Sequence, residues 1–396
     1  MAKKAYIGID GVARKAKKIY LGINNKARKV KKGYIGIGGV ARPFWPSLEG
    51  VEYYGQITPL SKARYHFNAK TTPDGEHILF GGGANNTSVL DTIDCYDKSL
   101  TRTLPTTLSQ ARCDLAVANT GGYVLFAGGG NGLYGTTGYN TVDYYNASLS
   151  RGKTTLSQKK FEHAGASIGD YALFAGGTNS PSSGTYSKTI EHFNSSLTKG
   201  VTSTTLYATA SCLAGCSTPK YAFFAGGWNR AYIHEQVIAF NDSLTAFRPS
   251  DYAIARYSLG GAFVGDYTLF AGGVGVGENL VSAVDAYNSS LTLVTAPALT
   301  SARYNYTSIS TPGFAIFCGG AETAAGGDTA VFGSIDAYDA SLTRTTPQNL
   351  TVARYNMAGD AINGFALFGG GTSINVTGNG TSGSAFDQVE VYQYPT

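Results

Sequence analysis

Short apolar runs, each ended by glycine, recur along most of the chain and predict strands. Seven of them share one form, an apolar stretch ending in Phe followed by a small residue and glycines. They end at Phe80, Phe126, Phe174, Phe224, Phe270, Phe317 and Phe368. Successive phenylalanines are 46, 48, 50, 46, 47 and 51 residues apart. Each unit also holds a small-residue strand before this run and a third strand ending in Tyr or Phe, such as Ile93-Asp-Cys-Tyr96. An Asp/Asn-x-Ser-Leu turn then leads to a fourth strand. Asp and Asn suit that turn because their side chains hydrogen-bond the nearby backbone. Four strands in about 47 residues, repeated seven times, predict an all-β, seven-bladed β-propeller.

The two ends of this region complement each other. The last copy stops after its third strand, Val389-Glu-Val-Tyr-Gln-Tyr394, and an unassigned strand, Tyr53-Tyr-Gly-Gln-Ile-Thr-Pro-Leu60, precedes the first. Pairing them closes the ring and removes its free edges. The units also share charged positions. A basic residue opens the first strand in six copies (Arg64, Arg112, Lys160, Arg256, Arg303, Arg354). An acidic residue lies two before the third-strand aromatic in six (Asp94, Asp143, Glu191, Asp285, Asp336, Glu390). The fourth copy lacks both, with Ala210 and Ile238 in their places. Joint absence predicts that the two sites face each other as a recurring ion pair, chiefly a structural clamp.

Residues 1–45 follow a different period. Ala5–Lys18, Ile19–Lys32 and Gly33–Arg42 align as 14-residue repeats around Asp10-Gly11, Asn24-Asn25 and Gly38-Gly39. Such dipeptides adopt the positive φ angles of two-residue hairpin turns, so three hairpins are expected. Here charge changes the picture. The net +5 combines nine Lys and three Arg against one Asp in residues 1–45, a surplus of +11, with 19 basic and 25 acidic residues elsewhere, a balance of −6. The chain therefore divides into a basic arm, 1–45, and a mildly acidic propeller, 46–396. So small a sheet is marginal alone, and the arm is expected to order on a partner or by self-association.

Composition adds exclusions. With 52 Gly, 27 Tyr, 19 Phe and 14% charged residues, the chain suits stacked sheets and tight turns. Five scattered cysteines imply no disulfide framework. No apolar run is long enough for a membrane-spanning helix, and the start lacks the apolar stretch of a secretion signal, so synthesis in a reducing cytoplasm without membrane insertion is expected. The histidines show no metal-ligand spacing: His66 and His163 are read on first strands, His77 and His192 on others, and only His234 in a variable loop. Cys212 and Cys216 read as core. No phosphate loop or nucleophile elbow occurs, so neither catalysis nor a cofactor is expected. Binding is assigned to the loops after the Gly-Gly motifs and those entering the first strands. Candidate ligand contacts are Tyr134, Tyr139, Tyr186, Trp228, Arg230, Tyr232 and His234, aromatic and polar groups suited to sugars or peptides, with Trp228–His234 the densest patch. The sequons at Asn146, Asn194 and Asn288 are read as turn chemistry.

Two resemblances follow from these motifs. The double glycine after an apolar strand, with an aromatic fifteen to twenty residues later, resembles kelch-type propellers across 46–396, although the usual fourth-strand tryptophan is missing. The tandem Lys-Lys-x-Tyr-Ile-Gly-Ile-x-Gly-Val-Ala-Arg segments resemble the N-termini of structural proteins of bacteriophages infecting Gram-positive bacteria. That likeness implies a virion surface protein, made in the host cytoplasm and anchored to a capsid or tail protein by its arm. Docking would involve Tyr6, Ile9, Arg14, Tyr20, Ile23, Arg28, Tyr34, Ile37 and Arg42, and the propeller would bind a bacterial surface glycan or protein. The alternative is an intracellular kelch scaffold whose arm binds nucleic acid or an acidic partner; a glycan-active or copper enzyme stands behind both.

Overall fold

The computed structural model describes residues 49–395 except 133–136, 181–184, 251–253, 324–328, 374–375, 378–379 and 382, and the backbone of six strands within residues 6–45. The body is a seven-bladed β-propeller of seven four-stranded antiparallel sheets. The second blade shows the plan, running outward from the axis as Ala116–Asn119, Val124–Ala127, Thr141–Tyr145 and Arg151–Thr155. The last blade combines Ala358–Ile362, Phe365–Gly369 and Val389–Gln393 with the N-terminal strand Glu52–Ile57. Val389 stands opposite Ile57 and Gln393 opposite Glu52, so the ring closes by the expected pairing of chain ends.

Each recurring residue has a packing reason. The motif phenylalanines are wholly buried, and in six blades the motif ring meets the third-strand aromatic of its own blade edge-on, as Phe126 does Tyr145 at 5.9 Å. The hydroxyls of Tyr96, Tyr145, Tyr287 and Tyr338 reach past that core to donate to backbone carbonyls of the segment entering the blade, at 2.7–2.9 Å. In the Asp/Asn turns the side-chain oxygen accepts two backbone N–H groups, as Asn194 does from Ser196 and Thr198. The leucine that follows takes positive φ, at Leu100, Leu149, Leu197, Leu244, Leu291 and Leu342. The carbonyl oxygens of Asn146, Asn194 and Asn288 are thus engaged in turn geometry.

The clamp exists in all six blades that carry the charges. Arg64–Asp94 (2.8 Å), Arg112–Asp143 (2.7 Å), Lys160–Glu191 (3.0 Å), Arg303–Asp336 (2.6 Å) and Arg354–Glu390 (3.2 Å) are buried, and Arg256 meets Asp285. Each arginine also donates to the carbonyl of its motif phenylalanine, as Arg112 does to Phe126 at 3.0 Å. The fourth blade substitutes a neutral group. Gln236 accepts the backbone N–H groups of Tyr207 and Ala208 and donates to Gly226, beside buried Ala210 and Ile238. An amide therefore satisfies the same stretch of backbone without a buried charge.

The basic residues do not open the inner strands, contrary to the reading of the sequence; Arg256 opens only the short strand Arg256–Tyr257, outside its blade's four-stranded sheet. The inner strand of the second blade begins at Ala116, and Arg112 and Asp114 precede it in a turn. The reason lies at the axis: Asp114 takes φ 51°, which no strand permits.

In the arm, Tyr6–Ile9 pairs with Val12–Lys15, Tyr20–Ile23 with Lys26–Lys29, and Gly33–Ile37 with Val40–Trp45. Ile9 faces Val12, Ile23 faces Lys26 and Ile37 faces Val40, so each turn has two residues. The docking side chains expected from Tyr6 to Arg42 lie outside the described residues.

Candidate functional site

Where each chain segment enters an inner strand, one residue takes positive φ between 51° and 55°: His66, Asp114, Glu162, Cys212, Ser258, Asn305 and Asn356. Their backbones form a closed belt. Asp114 N–H donates to His66, Glu162 to Asp114, Cys212 to Glu162, Ser258 to Cys212, Asn305 to Ser258, Asn356 to Asn305, and His66 back to Asn356, at 2.9–3.4 Å. All seven line a cavity of about 500 Å³ at the mouth of the propeller axis. It continues into a narrower channel of about 320 Å³ between the inner strands. Gly165 and Gly215 let those strands crowd the axis, because a Cβ on either would lie 2.3 Å from a carbonyl of the preceding blade.

Around the belt the side chains divide into two arcs. In blades one to three the belt residues are the titratable His66, Asp114 and Glu162. The His66 Nδ1 meets Asp114 at 2.5 Å, while its Nε2 meets the Asn356 amide at 2.9 Å. Burial opposes a proton on His66, but Asp114 more than offsets it, and the net shift is upward. Glu162 forms no salt bridge among the described residues; burial and then Asp114 push its carboxyl above the usual range. From the fourth blade onward the lining is aromatic and neutral. Trp228 stacks on Tyr257 with ring centroids 5.3 Å apart, and Tyr186 meets Trp228 edge-on at 6.2 Å. Ser258, Tyr304 and Asn305 continue this arc. The fourth blade exchanges large for small: Ser211 stands where its neighbours carry Phe161 and Tyr257, and Trp228 pairs with it from the loop after the glycines.

The residues named from sequence are only partly gathered here. Trp228 and Tyr186 come together, and burial raises the Tyr186 hydroxyl's pKa although Arg230 lies near enough to oppose it. His234 sits half-buried on the backbone of Gly227, and Tyr139 on that of Gly129. Tyr232 is 71% exposed at the tip of the same loop, closed by the Asn229 side chain. Tyr134 lies outside the described residues. Three readings need correction. His66 is in the axial belt, and His163 directly follows it, so neither is on a first strand. Cys212 lines the cavity, half-buried, and only Cys216 packs in a core. The belt itself escaped the sequence reading, yet it had a signal there: it is the position two residues after each recurring basic residue.

Comparisons support the architecture and stop there. No family model matches the chain, and no curated protein matches it. A solved structure titled "Structure of YjhT" aligns at TM-score 0.54 with 13% identity, over 85% of this chain and 99% of that one. That likeness shows the fold alone. Among the described residues no group of three or more His, Cys, Asp or Glu side chains is placed to hold a metal ion, and no helix is long and apolar enough to cross a membrane.

Below the belt lies a collar of wedges, among them Leu115, Leu213 and Met357, each packed against the first motif glycine of the preceding blade. In the third blade the wedge is His163, 6% exposed, with neither ring nitrogen hydrogen-bonded in the described structure. Burial, then Lys160 and Arg112, hold its pKa well below the ordinary value. The unfolded chain therefore binds a proton that the folded chain refuses, and stability falls as pH drops below about 6.5. His66 contributes the opposite slope. His163→Leu, which copies Leu115 and Leu213, is expected to raise the melting temperature at pH 5.5 while changing it little at pH 8. A pH series of thermal melts checks this, and an unchanged acid slope would refute it.

Proposed function

We propose that this chain is a bacteriophage virion surface protein whose kelch-type propeller grips a host-surface glycan or protein at the axial mouth, and whose basic arm docks it on the particle. The role is binding, without catalysis or cofactor. The observation that carries the reading is the cavity at the mouth: seven polar side chains on one rigid belt, walled on one side by stacked aromatics. Seven equivalent positions filled by six residue types can present a ligand with a specific pattern of donors, acceptors and charge. A hydrogen-bonded belt holds that pattern in place before binding, which lowers the entropic cost of association. The three basic hairpins and their resemblance to phage N-termini support a separate docking role, and many copies on one particle would convert modest single affinities into avidity.

Two variants of the full chain test the division of labour. Trp228→Ala with Tyr257→Ala is expected to lower binding to host cells at least tenfold while leaving attachment to particles intact. Arg14→Glu, Arg28→Glu and Arg42→Glu together are expected to do the reverse. Cell binding that survives loss of the aromatic pair in a folded protein would remove the mouth from consideration. Particle attachment indifferent to the charge reversal would remove the arm.

A further inference from the structure

The axial cavity is polarised, and its two halves meet at one point. The Glu162 carboxyl touches Ser211 and Cys212, and Cys212 in turn lies against the Trp228 indole. A single side chain therefore separates a carboxyl with no salt-bridge partner among the described residues from a stacked indole–phenol wall. Asp114 adds a second carboxylate beside it, and His66 is engaged with Asp114 and Asn356. The basic residues of the second and third blades are committed elsewhere, Arg112 to Asp143 and Lys160 to Glu191, which leaves His66 as the basic group acting on Glu162. Neutral donors and acceptors, Ser258, Asn305 and Asn356, complete the floor.

Resting on the reading of this mouth as the binding site, we propose that its ligand is a glycan bearing a free, protonated amino group, an amino sugar that is not N-acetylated. The ammonium would sit between Asp114 and Glu162, and the C–H face of the pyranose would lie on the Trp228–Tyr257 wall, with ring hydroxyls reaching Asn305 and Asn356. A lysine side chain could satisfy the carboxylates, but it has no flat face with flanking hydroxyls to use the rest of the lining. Carboxylates in a confined, partly dry site favour a cation strongly over its neutral amide. An aromatic face adds to this through stacking and cation–π attraction.

The test titrates the full-length protein calorimetrically with a glucosamine tetramer, the corresponding N-acetylated tetramer and tri-lysine. The glucosamine oligomer is expected to bind at least tenfold tighter than the other two, and more weakly as salt rises. Glu162→Gln, which keeps the shape and the backbone belt, should cut that affinity about tenfold with an unchanged melting temperature; Tyr257→Ala should do the same. The proposal is overturned if the acetylated oligomer binds as well, if tri-lysine matches the amino sugar, or if none of the three binds. Failure of the underlying reading looks different: host-cell binding would then be insensitive to the Trp228 and Tyr257 substitutions. If cell binding needs that pair but the amine gives no advantage, only the ligand class falls.

Discussion

Asp143→Ala should cost the propeller about 3–5 kcal/mol, a large part of the stability of an ordinary domain. Both partners of the Arg112–Asp143 pair have side chains with no exposure, so deleting the carboxylate strands a guanidinium that burial already makes reluctant to hold its charge. The backbone N–H of Ser109, which donates to Asp143 at 3.1 Å, also loses its acceptor. The fourth blade shows how the same place is filled without charge, and it supplies the control. Arg112→Ala, Thr141→Gln and Asp143→Ile together install Ala210, Gln236 and Ile238 in the second blade. That triple variant is expected to recover most of the loss, because a buried pair can be replaced by well-packed neutral groups at little net cost. Denaturant unfolding of the wild type, the single and the triple variant reads the effect. A single variant as stable as wild type would show that the pair is not a clamp.

Gly128→Ala is expected to destabilise by about 3 kcal/mol, from two causes acting together. Gly128 has φ 60°, and a Cβ there would lie 2.4 Å from the carbonyl oxygen of Lys160 in the next blade. That carbonyl is committed, since it accepts the N–H of Gly129. The same bond recurs all round the ring: the second motif glycine of each blade donates to the residue at the clamp position of the next, and Gly371 closes the circle on Arg64. The double glycine is thus an inter-blade joint, and a methyl group at it must push two blades apart. Gly122→Ala, with nothing within 4 Å of its added Cβ, should change stability by less than about 0.5 kcal/mol. Equal melting temperatures for the two variants would contradict the joint.

How far each feature could be read from sequence depended on whether its signal repeats. The clamp was legible because six blades carry it and one lacks both halves at once. The strand pairs of the arm were legible because Asp10-Gly11, Asn24-Asn25 and Gly38-Gly39 are dipeptides that favour chain reversal, and each falls between two strands that pair. The boundary of the inner strands was misread, because a basic residue before an apolar run looks like a strand start. Only the left-handed turn at Asp114 and its six equivalents shows that the chain first closes a belt and then enters the sheet.

Local chemistry and repetition therefore determined the blades, their number, the closing strand and the pairing of charges, since each recurs at a fixed offset within one unit. Tertiary structure decided the site. His66, Asp114, Glu162 and Cys212 are 48–50 residues apart and chemically unlike, so although each stands at a fixed offset in its unit, their residue types do not mark them as one site. They meet because seven blades turn the same backbone position toward one axis. Tyr257 joined Trp228 for the same reason: stacking across a blade boundary depends on how neighbouring sheets are rotated about that axis, which sequence spacing does not encode.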